Sequence, residues 1–162
     1  MSCGQSGMNL SWQYFEGELD SDDVRTLLDQ HFVAMRAGSP PSACHVLPVD
    51  GLKDPAIRFF TVREDGLLLG CGALKRLAAN HGELKSMRTV DDALGRGVGG
   101  ALLDHITAAA RKCGMKRLSL ETGSTEMFAA AIRLYEREGF DLCGPFGGYA
   151  DTPFTRFYTR NI

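Results

Sequence analysis

The stretch Leu94-Gly95-Arg96-Gly97-Val98-Gly99-Gly100-Ala101-Leu102-Leu103 decides how this chain reads. Before it, Glu83 to Val90 has the character of a strand. After it, Val98, Ala101, Leu102, His105, Ile106 and Ala109 recur at helical spacing until Cys113-Gly114 closes the run. Four glycines therefore crowd a strand-to-helix turn. The first backbone N–H groups of a helix lack internal partners and sit at the positive end of its dipole, which suits a phosphate. Glycines let the chain approach that phosphate without Cβ clashes, and Arg96 can add positive charge. A turn that merely packs closely on its own helix is the plain structural alternative. A Walker loop is excluded, because Ala101-Leu102 follows where lysine and a hydroxyl are required. A dinucleotide fingerprint stays open: Gly95, Gly97 and Gly100 fit GxGxxG, and Glu121 lies 21 residues beyond Gly100. Against it, Val90-Asp91-Asp92-Ala93-Leu94 separates strand from glycine, and the 62 residues after Gly100 leave little room for a doubly wound fold.

Working outward, Ser21-Asp22-Asp23 resembles a capped helix start with acids at the positive end of the dipole. Val24, Leu27, Leu28, His31, Phe32 and Met35 follow at helical spacing, and Gly38 with Pro40-Pro41 ends the run. Ser39 to Pro55 reads as loop. Arg58 to Glu64, an Asp65-Gly66 turn, Leu67 to Leu77 and Glu83 to Val90 form an antiparallel meander. Downstream come a strand at Arg117 to Thr122, a helix over Thr125 to Glu138, a strand after Gly139-Phe140, a turn over Gly144 to Gly148 and a final strand at Phe154 to Thr159. The expected class is α/β, a mixed central sheet of a meander then β-α-β-α-β, flanked by helices.

The 162 residues suit one domain. Eighteen basic against twenty acidic residues give a net charge of -2, which argues against a basic nucleic-acid footprint. No apolar run is long enough to span a bilayer, and Met1 to Gln13 lacks a signal-like pattern, so a cytoplasmic protein is expected. The five cysteines (Cys3, Cys44, Cys71, Cys113, Cys143) show no CxxC or CxxH spacing; buried free thiols and no metal are expected.

Gly95-Arg-Gly-Val-Gly-Gly-Ala-Leu-Leu103 resembles the acyl-CoA pyrophosphate loop of the GNAT superfamily of N-acetyltransferases, Q/R-x-x-G-x-G/A. Ala131-Ile-Arg-Leu-Tyr-Glu-Arg-Glu-Gly-Phe140 is similar to that family's second signature, A-x-x-L-Y-x-x-x-G-F. The resemblance covers roughly Arg58 to Thr159. Glu83 to Thr89, Ser39-Pro-Pro41 and Gly144-Pro-Phe-Gly147 further resemble an uncharacterised bacterial branch. Two departures stand out: Leu94 replaces the usual Gln or Arg, and Phe128 replaces a frequent asparagine.

The resemblance implies a GNAT-like acyltransferase fold and acetyl-CoA as co-substrate. Gly95, Arg96, Gly97, Val98, Gly99 and Gly100 would hold its phosphates, and Met87, Arg88 and Thr89 would pair with the pantetheine arm. It also implies transfer to an amine. At neutral pH a lysine-like amine is unprotonated in only about one molecule in 2,500, a cost of roughly 4.6 kcal/mol. A base must therefore assist; Glu83 is the first candidate, Glu121 the second, and His81 a weaker third. Tyr135 matches the family's usual proton donor to the departing sulfur. Met35, Arg36, His45 and the Ser39-Pro40-Pro41 loop are candidates to line the acceptor pocket. Residues 1–57 then form an acceptor-side helix and loop, and 58–162 an acetyl-CoA-binding core. The acceptor is a small-molecule or peptide amine, and a homodimer is the default oligomer. A catalytically weak acyl-CoA sensor of the same fold is the alternative.

Overall fold

The structure is a computed structural model and describes residues 11–162. Seven strands and three helices follow the order β1 (Trp12–Glu16), α1 (Asp22–Gly38), β2 (Ile57–Glu64), β3 (Leu67–Ala78), β4 (His81–Thr89), α2 (Val98–Lys112), β5 (Arg117–Gly123), α3 (Ala129–Arg137), β6 (Asp141–Cys143) and β7 (Thr155–Asn161). One sheet runs β1-β2-β3-β4-β5-β7-β6. All neighbours are antiparallel except β4 and β5, the parallel pair joined by α2. The expected meander and the β-α-β unit after it are both present.

Alternation along the strands sends side chains to two cores. Leu74, Leu84, Leu118 and Leu120 pack with Leu102, Leu103 and Ile106 of α2 and with Tyr135 of α3. On the other face, Phe59, Cys71 and Ala73 pack with Val24, Leu27 and Leu28 of α1. The acidic first turn of α1 behaves differently from a serine cap. Ser21 donates to Asp23, whose carboxylate accepts the Val24 N–H. Asp23 and Glu18 both accept from Arg63, fastening the start of α1 to β2.

Several expectations need correction. Trp12–Glu16, where no strand is expected from the sequence, is an edge strand paired with β2. Its alternation was hidden because only Trp12 of the five residues is buried. The Ser39 to Pro55 loop contains two 3-10 turns, Pro41–Ala43 and Val49–Lys53. The helix expected from Thr125 starts as a 3-10 turn, Glu126–Phe128, before α3 proper. The final strand pairs inside the sheet between β5 and β6. Cys71 is fully buried, whereas Cys44, Cys113 and Cys143 are half-buried; all four are free, and Cys3 lies outside the described residues. No helix among the described residues is long and apolar enough to cross a membrane.

Candidate functional site

Strands β4 and β5 part company midway. Their parallel pairing runs from His81↔Arg117 to Leu84↔Leu120 and stops, although β4 continues to Thr89 and β5 to Gly123. The cause lies on the other edge of β4. There Lys85 pairs with Ala73 and Arg88 with Cys71, so Ser86 and Met87 oppose Gly72 alone. This is a β-bulge, and Ser86 adopts φ +54° to make it. The backbone of Met87 to Thr89 consequently has no strand beside it on the β5 side.

A cleft of about 820 Å³ opens at this divergence. One end is the glycine turn. Gly95 (φ +80°) and Gly97 (φ +83°, the N-cap of α2) take the left-handed conformation that glycine adopts without strain. The N–H groups of Gly95, Gly97, Val98, Gly99 and Gly100 have no acceptor among the described residues. A Cβ at Gly95 or Gly97 would meet nothing within 4 Å, so open space lies over the turn. This arrangement fits a diphosphate, whose oxygens accept from such amides.

The glycine turn, Met87, Arg88, Thr89, Glu83, Glu121, Tyr135, Met35 and His45 all line the same cleft. Ser39 lines it too, whereas Pro40, Pro41, Arg96 and Arg36 do not. Arg96 turns outward, where its guanidinium binds both oxygens of Glu64 at 3.0 and 2.9 Å and lies over Trp12. Edge strand β1 supplies that ring, so the sequence reading that missed β1 also missed this competing partner. Arg36 is exposed at the end of α1, stacked on the Phe32 ring four residues earlier. Of the departures, Leu94 is solvent-exposed. Phe128 is a buried wall of the cleft whose ring occupies the space a side chain at Gly123 would need.

The three titratable candidates have distinct environments. Glu83 is 2% exposed; its Oε2 accepts from Tyr149 at 2.7 Å and from Lys85 at 3.3 Å, which compensates the buried charge. Lys85 also donates to the Tyr149 hydroxyl at 2.8 Å. Burial and the Glu83 carboxylate raise the Tyr149 pKa far above its ordinary value, so that hydroxyl keeps its proton. Glu121, at the open end of β5, faces His45 Nδ1. Burial pushes its carboxyl up, and His45 opposes that shift. Tyr135 is buried in α3, its pKa pushed up to about 12 by burial, and its hydroxyl makes no hydrogen bond among the described residues. His81 is tied to Ser119 at 2.7 Å away from the cleft, which removes it as a base.

Tyr149 and Lys85 were missed as site residues. Tyr149 follows the Gly147-Gly148 turn, and its ring packs with His45, Phe146 and Phe157. A tyrosine just after a glycine pair in a long loop carries no local signal of that placement. Lys85 carried a weak one, the period of two that puts it on the face of Glu83.

Comparison with known proteins agrees with this geometry. The model of the acetyltransferase (GNAT) family matches residues 7–140. Uncharacterized N-acetyltransferases of Bacillus subtilis (YsnE) and Escherichia coli (YedL) are each 43% identical over 145 residues, 90% of this chain and 96% and 91% of theirs. A GNAT acetyltransferase structure from Elizabethkingia anophelis, with acetyl-CoA bound, is 14% identical and shares the fold at a TM-score of 0.61, covering 94% of this chain and 99% of that one. The splayed parallel strands, the glycine turn between them and the extent of these matches lead to one conclusion: the chain belongs to the GNAT acetyltransferase family.

Proposed function

We propose that the protein transfers the acetyl group of acetyl-CoA to a primary amine, with residues 58–162 holding the cofactor and α1 with its following loop walling the acceptor side. The observation that carries this reading is the set of amides of Gly95, Gly97, Val98, Gly99 and Gly100, without acceptors among the described residues, with open space over Gly95 and Gly97 at the splay. They hold the pyrophosphate. The exposed backbone of Met87 to Thr89 pairs with the pantetheine arm and leads the thioester to the gap between β4 and β5.

His45 and Glu121 are assigned the proton transfer from the amine. An ionised Glu121 can only accept, so His45 Nδ1 carries the proton and Nε2 keeps a lone pair for the acceptor. Nε2 makes no hydrogen bond among the described residues. Glu83 is assigned a supporting part, because Tyr149 and Lys85 already occupy its oxygen. As the amine attacks the thioester carbonyl, the C–S bond breaks and the sulfur leaves with its electron pair. Tyr135, protonated and unpartnered in the cleft wall, supplies the proton that makes the thiol.

The test is free-thiol release from acetyl-CoA across a panel of amines. Acceptor-dependent release is expected. Tight coenzyme A binding with no release across the panel would mark a binding domain and overturn the catalytic reading.

A further inference from the structure

Cys71 and Arg88 face each other across β3 and β4, which puts Arg88 on the α1 face of the sheet. Arg88 is half-buried and lines the cleft, and its guanidinium makes no hydrogen bond or ion pair among the described residues. Opposite it on α1, His31 also lines the cleft at 7% exposure, and its Nδ1 is buried without a hydrogen-bond partner. The two side chains sense each other: burial and then the Arg88 charge lower the His31 pKa to about 4, so the imidazole is neutral and keeps one N–H. Two other sets of charged groups that line the cleft are satisfied, Lys85 with Glu83 and Tyr149, and His45 with Glu121.

An unpaired half-buried cation beside a buried nitrogen with no partner is costly, and both costs vanish on binding one anion. A carboxylate matches the planar fork of the guanidinium with two parallel hydrogen bonds and leaves lone pairs for an imidazole N–H. We infer that Arg88 and His31 form a carboxylate subsite for the acceptor, so that the substrate is an amine that also carries a carboxylate, in the manner of an amino acid. The site is then dipolar. Glu121 and His45 receive the amine at one end, and Arg88 draws the carboxylate to the other. Arg88 lies three positions beyond Lys85, across the bulge at Ser86 and Met87, so the two ends are set apart along β4. The backbone of Arg88 remains available to the pantetheine arm, since it projects from the strand edge and not from its face.

This inference rests on the acetyltransferase reading for its kinetic arm and is independent of it for the binding arm. The kinetic probes are matched acceptors: phenylalanine, phenylalaninamide and 2-phenylethylamine, with γ-aminobutyrate against butylamine. The expected result is at least a ten-fold higher kcat/KM for the carboxylate member of a set, carried by KM. In Arg88→Met that ratio falls at least ten-fold, and Arg88→Lys, which keeps the charge but not the fork, falls between. Arg88→Lys also decides the point should Arg88→Met not fold. Equal kcat/KM within every set overturns the subsite while leaving the acetyltransferase standing. A loss of coenzyme A affinity in Arg88→Met that matches the loss in the ratio also overturns it, because Arg88 then serves a phosphate of the cofactor. If no amine is acetylated, the acetyltransferase reading has failed, and calorimetric titration with phenylacetate and butyrate decides the subsite. Binding that Arg88→Met abolishes upholds it, and no binding to the unsubstituted protein overturns it.

Discussion

His45 Nδ1 meets Glu121 Oε2, joining the loop after α1 to the open end of β5 across 76 positions of sequence. The contact lies in the wall of the cleft and sets the tautomer of the imidazole. Glu121 orients the ring in the way second carboxylates orient histidines in many sites. The ring is further braced by Tyr149, at 4.7 Å between centroids.

Removing His45 is therefore expected to lower kcat by about 10²-fold or more, the usual scale for a positioned base. Glu121→Gln keeps a partner for the ring but removes the charge that stabilises the imidazolium, and it is expected to cost less than His45→Ala. Steady-state kinetics at saturating acetyl-CoA check both. A Glu83→Gln loss larger than that of His45→Ala would return the role of base to Glu83.

Tyr135 has a hydroxyl held protonated by burial and no competing partner. Tyr135→Phe is expected to reduce turnover roughly ten-fold or more while coenzyme A affinity stays close to that of the parent, since proton transfer contributes at least that much. Equal turnover of the two proteins on a good acceptor removes Tyr135 from the mechanism.

Gly97 caps α2 in the left-handed region with empty space around it. Gly97→Ala meets no clash, so its cost is conformational, about 1–2 kcal/mol. The strained turn also shifts the amides proposed to hold the phosphates. Denaturant unfolding should show the first effect, and calorimetry with coenzyme A a several-fold weaker Kd.

His31 couples folding to pH. Its folded pKa of about 4 lies below the ordinary 6.5, so between those values the unfolded chain binds more protons than the folded one. Stability conferred by the neutral ring is complete above pH 6.5 and falls as pH drops toward 4, by roughly 3 kcal/mol in all. His31→Phe is expected to flatten that limb in urea melts between pH 7 and pH 4. An unchanged slope shows that other groups set the acid limb.

Much of the fold was legible because its signals are local. The 2.0 and 3.6 periods mark the meander and α2, and glycines at a helix start announce left-handed turns with free amides whatever packs around them. The edge strand Trp12–Glu16 escaped because one buried residue in five leaves no alternation to see. Arg96 was assigned to the phosphate on position alone, and its capture by Glu64 joins residues 32 positions apart that only the folded sheet brings together.

What the sequence determined by itself was the element order, the glycine turn and the signature helix bearing Tyr135, all properties of residues near one another in the chain. Tertiary structure alone decided which charged groups meet. The bulge at Ser86-Met87 opens the sheet; the loops over it bring His45 to Glu121 and Tyr149 to Glu83, and helix α1 brings His31 to face Arg88. Those encounters are between residues distant in sequence, and pairing energies depend on separation in space, which no pattern along the chain encodes.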